Sequence, residues 1–336
     1  MHIGGRLVAI EEKEGKAAIV WEYVTGSHSP APPVLGADGN IRLHCADGML
    51  HFIDRDGHQP FPPVNVGEPL GYAAPIVNHD GTTWISGFEG GLLQVNPSGT
   101  KEKRPFFRSR QRLDAPGVIH DGVIYIGSED SYLLAIKIEE RSGQNIWDQS
   151  EGKGATGWYI RSAPCVTSRG TVVVAGWDEH LYGFDPEGTE LWKTHVPGQM
   201  LASPILDKHG HVYVGISEAQ RNQEVRGSIL CVDGNSHRVR WQYQAEGPVE
   251  STPVLGEDDI LYFGDNAGFV HAVDLAGERK WAAQLGSAVR SAGTFLGGER
   301  VAFGTDDELL IALKCTSNGL GEGWPKLLKT LECSTS

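Results

Sequence analysis

What this 336-residue sequence lacks narrows its class before any motif is read. No apolar run approaches the roughly 18 residues that a membrane-crossing helix requires, so no helical span is expected. The N-terminus, MHIGGRLVAIEEKEGK, has no apolar core of the kind an export signal carries. Positive charge is scarce: the formal net charge is −14, and a field of that sign repels phosphate, which excludes nucleic acid and an anionic membrane surface as main partners. No His-x-x-x-His, Cys-x-x-Cys or Gly-x-Ser-x-Gly occurs, which removes the common zinc, dithiol and serine-nucleophile signatures. The five cysteines, Cys45, Cys165, Cys231, Cys315 and Cys333, are odd in number and sit mostly in apolar strand-like runs, so they read as reduced core thiols. Reduced thiols and the missing export signal together lead to an expected cytoplasmic location.

Turn formers are abundant, with 44 glycines and 18 prolines beside a 40% hydrophobic content. That combination suits many short strands and a large buried core. The stretch 254–281, VLGEDDILYFGDNAGFVHAVDLAGERKW, is the cleanest copy of a unit repeated along nearly the whole chain. Its closing aromatic recurs at Trp21, Phe61, Phe106, Trp147, Trp192, Trp241, Trp281 and Trp324, at spacings between 40 and 49 residues. This is the period of a four-stranded propeller blade. Between the aromatics lie a small-x-Pro-apolar run (as at 162–166 and 251–254), a β-branched or aromatic run ending in Gly (260–264) and a Leu-x-x-apolar run (181–184). The expected fold is therefore an all-β propeller of four-stranded antiparallel blades, eight of them or alternatively seven, in one domain spanning 1–336. Residues 1–21 supply only two strands, so the last blade is expected to be shared by both termini, 1–21 with 325–336. The aromatic is expected to stack on a turn glycine of the neighbouring blade and to bury on the order of 200 Å². Phe61 and Phe106 should do so less strongly than tryptophan.

The strand end Tyr-Phe-Gly or Tyr-Val-Gly, followed by LYGFDPEGTELW at 181–192 or HAVDLAGERKW at 271–281, resembles the pyrroloquinoline-quinone-type (PQQ-like) β-propeller repeat family. The resemblance covers nearly the whole chain and is specific for fold. It leaves function open, because this repeat serves quinone-dependent dehydrogenases, outer-membrane assembly lipoproteins and sensor domains. The large dehydrogenases are longer and carry adjacent cysteines beside the quinone. No two cysteines are close here, so neither PQQ nor calcium is expected and no cofactor is assigned.

Candidate site residues are those at which the repeat stops being uniform. The position just before each inner strand holds Tyr72, Arg161, Glu250 and Arg290, a mixed-charge set that either binds a carboxylate or phosphate or pairs with itself. The Gly-rich insertion 151–161, EGKGATGWYIR, puts Trp158 and Tyr159 beside Arg161 as a lid or a plug. The basic run 101–112, KEKRPFFRSRQR, offers Lys101, Lys103, Arg104, Arg108 and Arg110 as a docking patch or a solvated loop. Acidic residues after the second strand, Asp47, Glu89, Glu129, Asp178, Asp265 and Asp306 among them, read as turn residues and not as a metal site. The expectation is a non-catalytic binding or scaffold propeller acting through its channel mouth and rim loops on a protein partner or a small anionic ligand. The alternative is an acid/base lyase, cyclase or sensor with Glu250, Arg161, Arg290 and Tyr72 as its machinery. A quinone-dependent dehydrogenase ranks below both.

Overall fold

The computed structural model describes residues 5–13, 16–29, 31–67, 73–87, 89–219 and 225–324. Eight antiparallel sheets follow one another along the chain without interleaving. Arg6–Lys13 and Lys16–Val24 form a two-stranded sheet; six four-stranded sheets follow, over 34–65, 76–108, 118–145, 165–195, 205–245 and 254–284; a three-stranded sheet over 294–314 comes last. No helix among the described residues is long and apolar enough to cross a membrane. The chain is an all-β propeller.

Local chemistry explains the unit. The small-x-Pro motif opens six of the seven inner strands, the exception being Thr294–Phe295 after SAG, and there proline's missing N–H costs no ladder bond. Its small polar residues pass hydrogen bonds from one sheet to the next: Ala163 N donates to Ser203 Oγ (2.9 Å), Ser203 N to Thr252 Oγ1 (3.0 Å) and Ser251 Oγ to Ser291 O (2.7 Å). The third strands of the four-stranded sheets are largely buried, with Leu181, Ile229 and Val270 having no exposed surface, whereas Leu310–Lys314 in the three-stranded sheet is half-exposed. Their alternation packs one sheet face against each neighbour, in the geometry that period-two patterning dictates.

Five of the eight closing aromatics do what their spacing predicts. A Cβ placed on Gly57, Gly188 or Gly277 would fall 2.6–2.7 Å from the ring of Trp21, Trp147 or Trp241, so only glycine admits the ring. Each indole N–H then donates to a carbonyl of the same turn, Arg55 O (2.8 Å), Pro186 O (2.9 Å) and Leu275 O (2.9 Å). Phe61 and Phe106 press on Gly99 and Gly143 in the same way but have no N–H to donate. Trp192 meets His237 in place of a glycine, ring on ring at 4.9 Å.

Trp324 departs from the pattern. Its 43-residue spacing from Trp281 predicts the aromatic of an outer strand, yet the last sheet has no fourth strand among the described residues. Trp324 instead crosses to the channel and pairs with Leu206, N to O in both directions at 2.9 Å. The sequence SNGLGEGW preceding it explains the difference: three glycines hold an outer strand poorly but allow close approach. A Cβ on Gly323 would lie 2.5 Å from the Asp207 backbone. The expected contribution of 325–336 to ring closure falls outside the described residues.

Candidate functional site

The two ends of the channel are chemically different. At the end where the chain enters the inner strands, Arg290 Nε lies 3.2 Å from Glu250 Oε2, and its Nη1 binds the Asp306 carboxylate. Glu250 Oε1 also accepts from Asn266 Nδ2 (2.8 Å). Arg161 is held separately, with its guanidinium 4.6 Å above the Trp177 ring and Nη2 3.6 Å from Glu129. Glu250 and Arg290 thus share one cluster, and Arg161 belongs to another. Tyr72 lies outside the described residues.

The insertion 151–161 is stitched down along its length. Gly154 N donates to Gly188 O (2.9 Å), Gly157 N to the Tyr182 hydroxyl (2.8 Å) and Trp177 N to Tyr159 O (2.9 Å). Ile160 is the buried anchor, filling the space that a side chain at Gly127 would take. Trp158 is left 48% exposed, its ring 5.8 Å from Tyr159 and 6.1 Å edge-on to Trp177. Three aromatic rings and Arg161 therefore form one rigid, partly wet rim patch. Trp177 belongs to it but escapes the sequence reading, because the position after the second run varies freely between repeats: Cys45, Phe88, Ser128, Ile216, Asp265 and Thr305 stand there in the others.

The basic run is less cohesive. Lys101 Nζ bonds Val66 O (3.2 Å), and Phe106 is buried against Trp84, while Lys103, Arg104, Arg108 and Arg110 are exposed. The acids after the second strand serve several purposes: Asp47 caps its turn through Met49 N, Asp178 accepts from the Tyr182 hydroxyl (2.5 Å), and Asp306 pairs with Arg290. Asp265 differs, being fully buried with Gly247 N, Phe269 N and His271 Nε2 all within 3.0 Å.

That last contact belongs to a repeated device. Tyr243 O–H meets His271 Nδ1 at 3.1 Å, and Tyr23 O–H meets His51 Nδ1 at 2.9 Å, each pair 28 residues apart and edge-to-face. The equal spacing is a sequence signal. In the second copy Cys45 replaces the aspartate, and His51 Nε2 has no partner. Burial pushes the His51 and nearby His44 imidazoles down, His44 to about 4.

At the opposite end of the channel a cavity of about 1420 Å³ opens among the inner strands. Its wall is Leu35, Val77, Ile119, Val166 and Leu206, with Trp324 closing one side. Two places among the described residues bring three metal-ligating side chains together, Asp54 with Asp56 and His58, and Glu246 with Asp265 and His271. Neither lies on the cavity.

A family profile described as outer membrane protein assembly factor BamB matches residues 136–297. The repeats are of the PQQ-like type. The outer membrane protein assembly factor BamB of Nitrosomonas eutropha is 26% identical over 137 residues, 39% of this chain and 28% of that protein's length. Among solved structures, BamB from Moraxella catarrhalis superposes with a TM-score of 0.69 at 15% identity, covering 88% of each chain. A europium-containing methanol dehydrogenase superposes at 0.66 and 13% identity over 91% of this chain and 78% of its own. At those identities the structures speak for the fold alone.

The cytoplasmic expectation is overturned by these matches, since the profile and the relative are both named for outer membrane protein assembly. The reason it failed is physical. Cys45, Cys165, Cys231 and Cys315 are buried, and burial pushes Cys45 up to about 11 and Cys231 up to about 12. Such thiols stay reduced through inaccessibility, in any compartment.

Proposed function

We propose that this chain is a non-catalytic scaffold propeller that docks a protein partner through the rim patch of Trp158, Tyr159, Trp177 and Arg161, as part of an assembly outside the cytoplasm. The observation that carries this reading is the patch itself. An exposed tryptophan is held rigidly beside an arginine, and such anchors lose little conformational entropy on binding and dominate interface energetics. The likeness to an outer membrane assembly factor supports the partner being a protein. Against an acid/base enzyme, Glu250 and Arg290 are already engaged with each other and with Asn266 and Asp306, and Arg161 stands apart from them. A small anionic ligand finds no unpaired cation at this end of the channel among those residues.

The test is site-specific photocrosslinking in cells with benzoylphenylalanine at position 158 and, as a control, at exposed Leu191 on an outer strand. One discrete protein adduct is expected at 158, lost when Arg161→Glu is added. Equal adducts at both positions would refute docking at this rim.

A further inference from the structure

We propose that the channel cavity binds an extended, apolar polypeptide segment of another protein by backbone pairing with the inner strands, as the chain's own segment 319–324 already does on the adjacent wall. In each inner strand the residues flanking the second position bond the strand's own sheet. Asn78 N donates to Thr82 O (2.8 Å), Thr167 N to Thr171 O (2.9 Å) and Asp207 N to His211 O (3.2 Å). In an antiparallel ladder the backbone groups alternate, so those of the residue between point to the channel axis. By register these residues are Leu35, Val77, Ile119, Val166, Leu206, Leu255 and Phe295.

Two of the seven have found a strand. Leu206 exchanges both bonds with Trp324 at 2.9 Å, and Leu255 O accepts from Gly321 N at 2.9 Å. Their side chains are 1% and 2% exposed beneath that segment. Four more, Leu35, Val77, Ile119 and Val166, line the cavity, and among the described residues none of the four has a backbone partner on its inner edge. Leu35 is 43% exposed there. This is the template of unpaired N–H and C=O groups that extended peptides recognise on sheet edges.

The lining also argues for a peptide over a small charged ligand. Of the polar residues at the cavity mouth, His120 Nε2 lies 3.4 Å from Asp121, Asp207 accepts from His209 N, His211 N and the Tyr213 hydroxyl, and Lys208 Nζ lies 3.9 Å from Glu322. The wall itself is Leu, Val, Ile and Trp, and the volume exceeds the range of about 300–1,000 Å³ usual for small-molecule sites. Recognition then comes from main-chain bonds, with apolar side chains filling the wall.

The probe is a fluorescein-labelled Lys-Val-Ile-Val-Ile-Lys peptide, titrated by anisotropy against the full chain, with a version N-methylated at alternate residues as control. Saturable binding is expected, at least tenfold weaker for the N-methylated peptide. Val77→Pro removes one channel-facing N–H while the ladder through Ile76 and Asn78 stays intact, and weakens binding about fivefold. Hydrogen exchange gives a readout free of any substitution: the amides of Leu35, Val77 and Ile119 gain protection on adding peptide, and that of Leu206, already bonded, does not change. Trp158→Ser with Arg161→Glu leaves the titration unaltered, which separates this site from the rim. Equal affinity for the N-methylated peptide, absence of saturable binding, or protection outside these strands would overturn the proposal.

Discussion

Substituting Gly188 by alanine tests the central claim about how the blades are held together. Gly188 sits at φ +86°, and a Cβ there would fall 2.6 Å from the Trp147 ring. The ring has nowhere to retreat: Trp147 is 2% exposed, packs at 5.7 Å against Tyr125 and 5.8 Å against Phe184, and donates its N–H to Pro186 O. Gly210 provides the control, at φ +79° with nothing within 4 Å of the place a Cβ would occupy. Backbone strain alone costs about 1–2 kcal/mol for Gly210→Ala. Gly188→Ala adds overpacking of about 1–3 kcal/mol to the same strain. Urea unfolding of both variants, followed by tryptophan fluorescence, reads the difference directly. Trp147→Ala in the Gly188→Ala background removes the clash, so the double variant loses less than the sum of the single changes. If Gly188→Ala proves no more destabilising than Gly210→Ala, the ring-on-glycine contact is not what couples neighbouring sheets.

Acid should destabilise the protein through its buried imidazoles. His44, 1% exposed with an unpartnered Nε2, is pushed down by burial to about 4 from 6.5, so below pH 6.5 the unfolded chain takes up a proton that the folded one refuses. Stability therefore falls as pH drops from about 6.5 towards 4, by about 3 kcal/mol in total, and His44→Leu flattens that limb of a pH series of urea midpoints. An unchanged slope would place the proton uptake elsewhere. The buried thiols should be silent. In a Cys333→Ser chain, a chromogenic disulfide reagent near pH 8 titrates none of the four remaining cysteines until denaturant is added, and rapid reaction of the native protein would contradict their burial.

Much of the fold is legible because each strand's role is written in local chemistry. In most sheets proline opens the inner strand, glycine ends the second, a buried Leu-x-x-apolar run makes the third and an aromatic closes the fourth, and the ring-on-glycine contacts require both of those residue types. The rim patch is half legible for the same reason: Trp158, Tyr159 and Arg161 stand out from the repeat. Their partner Trp177 does not, because an aromatic after a strand looks like one more apolar residue until the sheets bring it beside Arg161. Grouping Arg161 with Glu250 and Arg290 fails on geometry. Equivalent positions in different sheets lie apart around the channel, and each charge pairs with what its own neighbours offer, Glu129 in one case and Asp306 in the other.

The repeat itself is not uniform, and that explains where reading by period breaks down. Outer strands in the first three four-stranded sheets are short, Val64–Asn65, Phe107–Arg108 and Gly143–Asn145, whereas those of the next three run Glu190–His195, Val239–Ala245 and Arg279–Gln284. The family profile matches 136–297, which contains all three long ones. A long outer strand fixes the position of its aromatic through a ladder of backbone bonds, and Trp192, Trp241 and Trp281 lie within such ladders. Phe61 and Phe106 lie outside strands, and Phe106 is held by two isolated backbone bonds, its N to Leu92 O (2.8 Å) and Gly143 N to its O (2.7 Å). Among the described residues Trp324 has no ladder to its own sheet, and its backbone pairs across the channel with Leu206. That pairing uses the inner edge of Leu206, which is why the same edge elsewhere in the channel is the part of this molecule most open to a second chain.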